Sequence, residues 1–352
     1  MDAQNVIETR DLTKRYRRYK KKEGLRGSVS SLFHREYVEK TAVSGMDLQI
    51  AGGEFVGLIG PNGAGKTTLI KMLTGIIAPT CGQVSVLGYY PNDMKNEFKK
   101  QYAVVMGQKS QLFFELTVND ILRMFKEIYE ISEEDFRSNR AYFVELFGVQ
   151  ELMDVQVRTL SLGERMKMEL IVALLHNPRV LFLDEPTIGL DAIASRQIRR
   201  FLKEINEERR TTILLTSHYM EDIRALCGRS VVIHHGTKIY DGGTEALFER
   251  YQKNRKISVT FQHPVEGIQG ADGDTGWLWG REAGAEATPG NASGIRVLED
   301  TPYKKVLLVP KERTGEVMGR VMACEPADIT IEEEEVGKVI ERIYREGEKA
   351  DV

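Results

Sequence analysis

The chain has 352 residues and a nearly balanced charge, 49 Lys and Arg against 52 Asp and Glu, for a net charge of −3. That length suggests about two domains, and the lack of net basic charge argues against a nucleic-acid binder, whose domain is ordinarily basic. The three cysteines, Cys81, Cys227 and Cys324, are odd in number and far apart, which excludes a disulfide framework or a zinc spacing and fits a reducing cytosol.

The opening residues, MDAQNVIETR, lack the apolar core of a secretion signal. No window reaches the roughly 20 apolar residues of a membrane span, so any work at a membrane is expected to need another polypeptide. VIETRDLTKRY reads as a first strand and runs into a basic stretch: Lys14, Arg15, Arg17, Arg18, Lys20, Lys21 and Lys22. Leu25, Val29, Leu32, Phe33 and Tyr37 then recur at the spacing of one helix face. A stretch of this kind suits a solvated hairpin, an anionic membrane surface or a nucleic acid.

Val56 to Ile59 is a short apolar run, as in a strand buried on both faces, and a glycine turn and a helical pattern follow it. From Leu116 to about Val149 the pattern is helical and charged. A second strand–turn–helix series begins at RVLFLDEPT and continues through TTILLTSH to SVVIHHGTKIYDGG, which predicts an α/β fold with a mostly parallel sheet. Composition shifts near residue 245. RKISVTF reads as a strand, 267–294 as a long flexible loop, and KKVLLVP, GEVMGRVMA, ADITIEEEE and VGKVIERIYRE as strand, helix, strand and helix. Residues 246–352 are therefore expected to form a small α+β domain.

Gly60-Pro61-Asn62-Gly63-Ala64-Gly65-Lys66-Thr67, followed by Thr68, has the spacing of a phosphate-binding loop. Glycines let successive backbone N–H groups turn inward around phosphate oxygens, and the helix beginning near Lys66 adds its positive dipole end. Lys66 is expected to reach the β- and γ-phosphates and Thr67 to ligate Mg²⁺. Downstream, four apolar residues lead to Asp184 and Glu185. A carboxylate at the tip of a buried strand suits a Mg²⁺ site, and its neighbour suits a general base for water. His34, His176, His234, His235 and His263 show no ligand spacing and read as structural.

Between these motifs lies LSLGERMKMEL, Leu160 to Leu170, and here the sequence resembles the ATP-binding cassette (ABC) family, whose signature reads LSGGQ. Gln108 matches that family's Q-loop glutamine, Gly189-Leu190-Asp191 its D-loop, His218 its switch histidine and Tyr16 its adenine-stacking aromatic. The resemblance covers about residues 5–245 and implies a P-loop NTPase cassette: a mixed, mostly parallel sheet with a helical subdomain at about 109–175. On that pattern 1–245 is the nucleotide-binding domain, with the basic stretch as an insertion at 17–40, and 246–352 is an accessory domain. The resemblance further implies that two such subunits close head to tail over two ATP molecules. Ser161, Gly163 and Glu164 would then meet the nucleotide held by the partner's phosphate loop. It gives Gln108 a part in sensing Mg²⁺ and the attacking water, makes Glu185 the base, and has His218 hold the γ-phosphate. Two departures stand out: Leu162 replaces a signature glycine, and Glu164 replaces glutamine, placing a negative charge where phosphates are expected.

The expected function is therefore that of an ATP-binding, ATP-hydrolysing subunit of a membrane transporter. It is read as an exporter from GQKSQLFFELTV and the tail ITIEEEEVGKVIERIYRE, which resemble bacterial exporter ATPases encoded apart from their membrane subunits. Its expected partners are a second copy and a separate transmembrane permease, at the cytoplasmic face of the cell membrane. No nucleic acid is expected, and 17–40 is a candidate membrane-surface contact. Two other readings are a soluble ABC ATPase acting on ribosomes or nucleic acid, and a nucleotide-dependent switch without hydrolysis. The first lacks the second cassette or zinc cysteines of those branches, and the second conflicts with Glu185 and His218.

Overall fold

The computed structural model describes residues 4–19, 37–107, 109–217, 219–251, 253–265 and 294–334. The chain divides into two compact units, Met1–Glu245 and Ala246–Val352.

The first unit opens with β1 (Asn5–Tyr19) and β2 (Tyr37–Ala51), followed by β3 (Phe55–Ile59), α1 (Lys66–Leu73) and β4 (Cys81–Val86). Then come α2 (Asn96–Lys99), β5 (Tyr102–Met106), α3 (Val118–Tyr129), α4 (Glu133–Phe147) and α5 (Leu162–Leu174). The unit continues with β6 (Val180–Asp184), α6 (Ala192–Arg209), β7 (Thr212–Thr216), α7 (Met220–Leu226), β8 (Arg229–His234) and β9 (Thr237–Gly243). Helix α8 (Thr244–Tyr251) spans the division between the units.

A six-stranded sheet of order β5-β6-β7-β3-β8-β9 forms the centre, parallel throughout except for the β8–β9 hairpin. All five residues of β3 and of β7 are buried, as expected of strands covered on both faces. A separate antiparallel sheet has the order β2-β1-β4. Between the two lies one hydrophobic core that takes in Ile7 and Leu12 of β1, Met46 and Leu48 of β2, Leu69 and Ile70 of α1, and Leu58, Phe182 and Val231 of the parallel sheet. Helix α1 is thus clamped by apolar contacts on both sides, which fixes the loop that enters it. The helices between β5 and β6 begin at polar caps: the side chains of Thr117, Ser132 and Ser161 each accept an N–H of the first turn.

Strand β1 runs into the basic stretch as far as Tyr19, where it pairs with Tyr37 at the start of β2. Tyr37 is therefore a strand residue, held by cross-strand pairing, and does not belong to a helix face. The other four residues of that predicted face lie outside the described residues, as do Gln108, His218, nearly all of the predicted loop 267–294 and the predicted last helix. Among the described residues no helix is long and apolar enough to cross a membrane.

In the second unit, β10 (Asn254–Thr260), β11 (Arg296–Asp300), β12 (Lys304–Pro310), α9 (Thr314–Met322) and β13 (Asp328–Glu333) follow in sequence. The strands form an antiparallel sheet of order β11-β12-β10-β13. Val317 and Val321, one turn apart on α9, share a core with Ile257 and Val259 of β10 and Leu307 and Val309 of β12. Period four on the helix meets period two on the strands.

A candidate nucleotide site at the ends of three parallel strands

Strand β7 lies between β3 and β6, so three chain segments leave the sheet side by side. These are the loop 60–65, the Asp184-Glu185 pair, and Ser217. Thr216 at the end of β7 pairs in register with both Leu58 and Asp184.

The loop needs its glycines for space. At Gly65 the backbone is left-handed, with φ +111°, and an added Cβ would lie 2.3 Å from the Ala42 carbonyl oxygen. A Cβ at Gly60 would lie 2.5 Å from the Ile233 carbonyl oxygen. Lys66 is buried, and its ammonium donates to the carbonyls of Gly60 (2.7 Å) and Pro61 (3.2 Å), folding across the loop. Burial pushes its pKa down, and the nearby Glu185 and Asp184 carboxylates oppose that.

Thr67 Oγ1 donates to Asp184 Oδ2 at 2.8 Å, while Thr216 Oγ1 donates to Oδ1 at 2.6 Å. The Asp184 carboxylate is held by one hydroxyl on each oxygen. Glu185 takes the left-handed conformation at φ +55°, a strain of about 1 kcal/mol for a residue with a Cβ. Its N–H donates to the Thr216 carbonyl at 3.0 Å, which holds the bend. Gly107 donates its N–H to the Asp184 carbonyl, and a Cβ there would lie 2.1 Å from the Glu185 carbonyl oxygen. The segment entering residue 108 is therefore pressed against the carboxylate pair.

A cavity of about 700 Å³ is lined by Tyr16, Asn62, Gly63, Gly65, Lys66, Thr67, Thr68, Asp184 and Glu185. Gly60, Pro61 and Ala64 do not line it. Lys40, Lys71 and Lys109 do, and their charges escaped the sequence reading. Lys40 faces Tyr16 across the β1–β2 ladder; Lys71 follows Thr67 by one helical turn, a spacing that could have flagged it. Four lysines and a glycine loop make a cavity suited to a polyphosphate. Thr67 and Asp184 offer only oxygen donors, the ligand chemistry of Mg²⁺. Among the described residues no group of three or more His, Cys, Asp or Glu side chains could hold a metal, so such an ion would share its coordination with phosphate and water.

Ser161, Gly163, Glu164 and Asp191 stand apart from this cavity, at the N-termini of α5 and α6. Glu164 is not simply a charge facing outward. Its Oε2 accepts both the N–H and the hydroxyl of Ser161, each at 2.8 Å, and Ser161 Oγ accepts the Glu164 N–H at 3.3 Å. This capping box holds the Glu164 pKa below the usual range. Asp191 caps α6 through the Ala194 N–H at 2.8 Å. Leu162 lies over Gly189, whose added Cβ would be 3.2 Å from it, so the signature and D-loop segments touch within one chain.

Contacts behind the cavity went unread in the sequence. Buried Asp222 accepts from Thr187 Oγ1 (2.5 Å), Ser217 Oγ (3.1 Å) and Arg199 (2.7 Å). It joins the segments that follow Glu185, precede residue 218 and follow Asp191.

The ABC transporter family profile matches residues 43–188, a span that holds the phosphate loop, the signature and both carboxylates. The chain is 35% identical over 227 residues to NatA, an ABC transporter ATP-binding protein of Bacillus subtilis strain 168, covering 64% of this chain and 92% of that one. The chain belongs to the ABC transporter family. As an ABC protein it is an ATP-binding subunit and an ATPase. It is also 33% identical to the Nod factor export ATP-binding protein I of Rhizobium sp. strain N33, over 66% of this chain and 76% of that protein. Its fold matches a solved dimeric structure of the ATP-binding cassette MJ0796 bound to ADP and Pi, with a TM-score of 0.56, 23% identity, and coverage of 68% of this chain and 98% of that one. These relatives give no support to a ribosome-acting role.

Proposed function

We propose that this ABC protein is the ATP-hydrolysing subunit of a membrane exporter, working as a homodimer on a separate permease at the cytoplasmic face of the membrane. The observation that carries the reading is the Thr67–Asp184 hydrogen bond of 2.8 Å beside Glu185, all lining one cavity with Lys66. Lys66 binds the terminal phosphates, and the N–H groups of Gly63, Gly65, Thr67 and Thr68 wrap those nearer the base. Tyr16 stacks on adenine at the open end. Thr67, Asp184 and Gln108 would hold Mg²⁺. Such an ion would supply positive charge to offset the charge that develops on the phosphates. Glu185 orients the attacking water and takes its proton, and His218 holds the γ-phosphate.

Ser161 and Gly163 act on the nucleotide of a second copy, a reading supported by their lying outside their own chain's cavity. Asp191 supports that closure, and Glu164 exchanges its bond with Ser161 for contacts across the interface. ATP drives closure because it bridges the closed dimer and not the open one. Export follows from the similarity to the Nod factor export protein. Residues 246–352 form an accessory domain beyond the family match, and the stretch 17–40 contacts the permease or the lipid surface.

Glu185→Gln tests the site. Turnover should fall at least about a hundredfold, the scale of general-base loss, with ATP binding retained; wild-type turnover would remove Glu185 from this role. Co-purification with a polytopic membrane protein from detergent-solubilised membranes supports transport, and co-purification with ribosomes or DNA at moderate salt overturns it.

A further inference from the structure

Helix α5 carries an acid that hydrolysis as described above does not use. Met166, Met168, Leu170, Ile171 and Val172 are buried along this helix, and Glu169 is buried among them at 5% exposure. A carboxylate in such surroundings is costly unless it is bonded. Its Oε1 accepts the Ser110 hydroxyl at 2.5 Å and the Gln111 N–H at 2.8 Å. Ser110 Oγ in turn accepts the Leu112 N–H at 3.1 Å, so the segment 110–112 is wound around one carboxylate oxygen. The other oxygen, Oε2, is buried and has no hydrogen-bond partner among the described residues. Burial raises the Glu169 pKa, opposed by the bonds to Ser110 and Gln111. An apolar residue would fill this place at lower cost, so what the position retains is the Oε1 acceptor.

The two ends of the link matter. Segment 110–112 begins two residues after residue 108, and Lys109 between them forms a bridge with Met106 of β5. Helix α5 has Ser161 as its N-cap, about 12 Å from Glu169 along the axis at 1.5 Å per residue. A helix is stiff over that length.

We propose that Glu169 is a positioning residue for ATP hydrolysis: its carboxylate ties the segment that follows Gln108 to the helix that presents Ser161. The segment that follows Gln108 and the helix that offers Ser161 to the partner's nucleotide then move together. The inference rests on the roles proposed for Gln108 and Ser161.

The test uses the full chain with Glu169→Ala, Glu169→Gln and Ser110→Ala. ATP affinity of the single subunit is measured by equilibrium binding, kcat and KM by steady-state ATPase assay, and folding by circular dichroism. Glu169→Ala should keep ATP affinity within about twofold and lower kcat about tenfold or more, the value of a lost hydrogen bond to a charged group. Glu169→Gln keeps the acceptor oxygen and should recover to within about threefold of wild type. Ser110→Ala should fall between the two. A folded Glu169→Ala with wild-type kcat overturns the proposal, and so does a Glu169→Gln as defective as Glu169→Ala. If Glu169→Ala fails to fold, wild-type kcat in Ser110→Ala overturns it instead. Glu185→Gln is run beside them: retained turnover there would fell the reading of the site itself, whereas loss there with normal Glu169→Ala fells only this inference.

Discussion

Asp222 is 1% exposed and accepts three hydrogen bonds, from Thr187, Ser217 and Arg199. It lines no part of the nucleotide cavity, yet Thr187 is two residues after Glu185 and Ser217 directly precedes residue 218. Removing Asp222 leaves two hydroxyls without this acceptor and leaves Arg199 with only the more distant Glu221 carboxylate, at 3.8 Å, beside it among the described residues. Asp222→Ala should therefore destabilise the protein by about 3 kcal/mol, read as a lower urea midpoint. Asp222→Asn, which keeps acceptors for the two hydroxyls, should lose less. The difference between the two variants separates the hydroxyl bonds from the charge. None of this was legible in the sequence, because Asp222 stands in MEDIRALCG as one of two ordinary acids near a helix start. Its partners are 5, 23 and 35 positions away, and no periodicity relates them. Glu169 was hidden for the same reason, with its partners 58 and 59 positions away. Lys66, Thr67, Asp184 and Glu185 were legible because their chemistry is tied to local strand–turn signals.

Elements read best where one short stretch specifies them. The apolar β3, its glycine turn and α1 form such a unit, and so does β6 with its two acids. The β1–β2 ladder read less well. Its far end is set by pairing between Tyr19 and Tyr37 across a gap in sequence, and that pairing overrode a helical spacing at Tyr37. Helix α5 shows what a local motif adds beyond its resemblance. The sequence marked Glu164 as a misplaced charge, whereas the fold uses it as the third helical residue, closing a capping box with Ser161. The sign of its pH effect follows. The folded-state pKa is depressed, so the stabilisation is present above the unfolded glutamate value and is lost as pH falls through the folded one. Glu164→Ala should accordingly lower the melting temperature at neutral pH. The gap to wild type should close progressively on acidification below the ordinary glutamate range. Melting curves of both proteins across pH check this; a gap unchanged down to strongly acid pH would remove the carboxylate from the cap.

At the scale of the whole molecule, the separation between the cavity and the signature has a consequence for assembly. A two-fold interface repeats each contact in both directions, so a dimer closing over two nucleotides has two composite sites. In the head-to-tail dimer proposed above, each joins Lys66 of one copy to Gly163 of the other. Lys66→Ala and Gly163→Asp should each be inactive as homodimers, the first by losing the phosphate cation and the second by placing a charge against the γ-phosphate. In a mixed dimer both defects fall in the same composite site, and the other site is wild type on both sides. Equal mixing makes about half of the dimers mixed, each with one of two sites intact, so ATPase activity should return to about a quarter of wild type if sites act independently. A single-chain site predicts no recovery, because every chain in the mixture carries a lesion. The measurement is the ATPase rate of the mixture against each variant alone, after incubation long enough for subunits to exchange. Recovery that rises with the fraction of mixed dimers ties Gly163 to the partner's nucleotide, and a flat line at the level of the separate variants would confine each site to one chain.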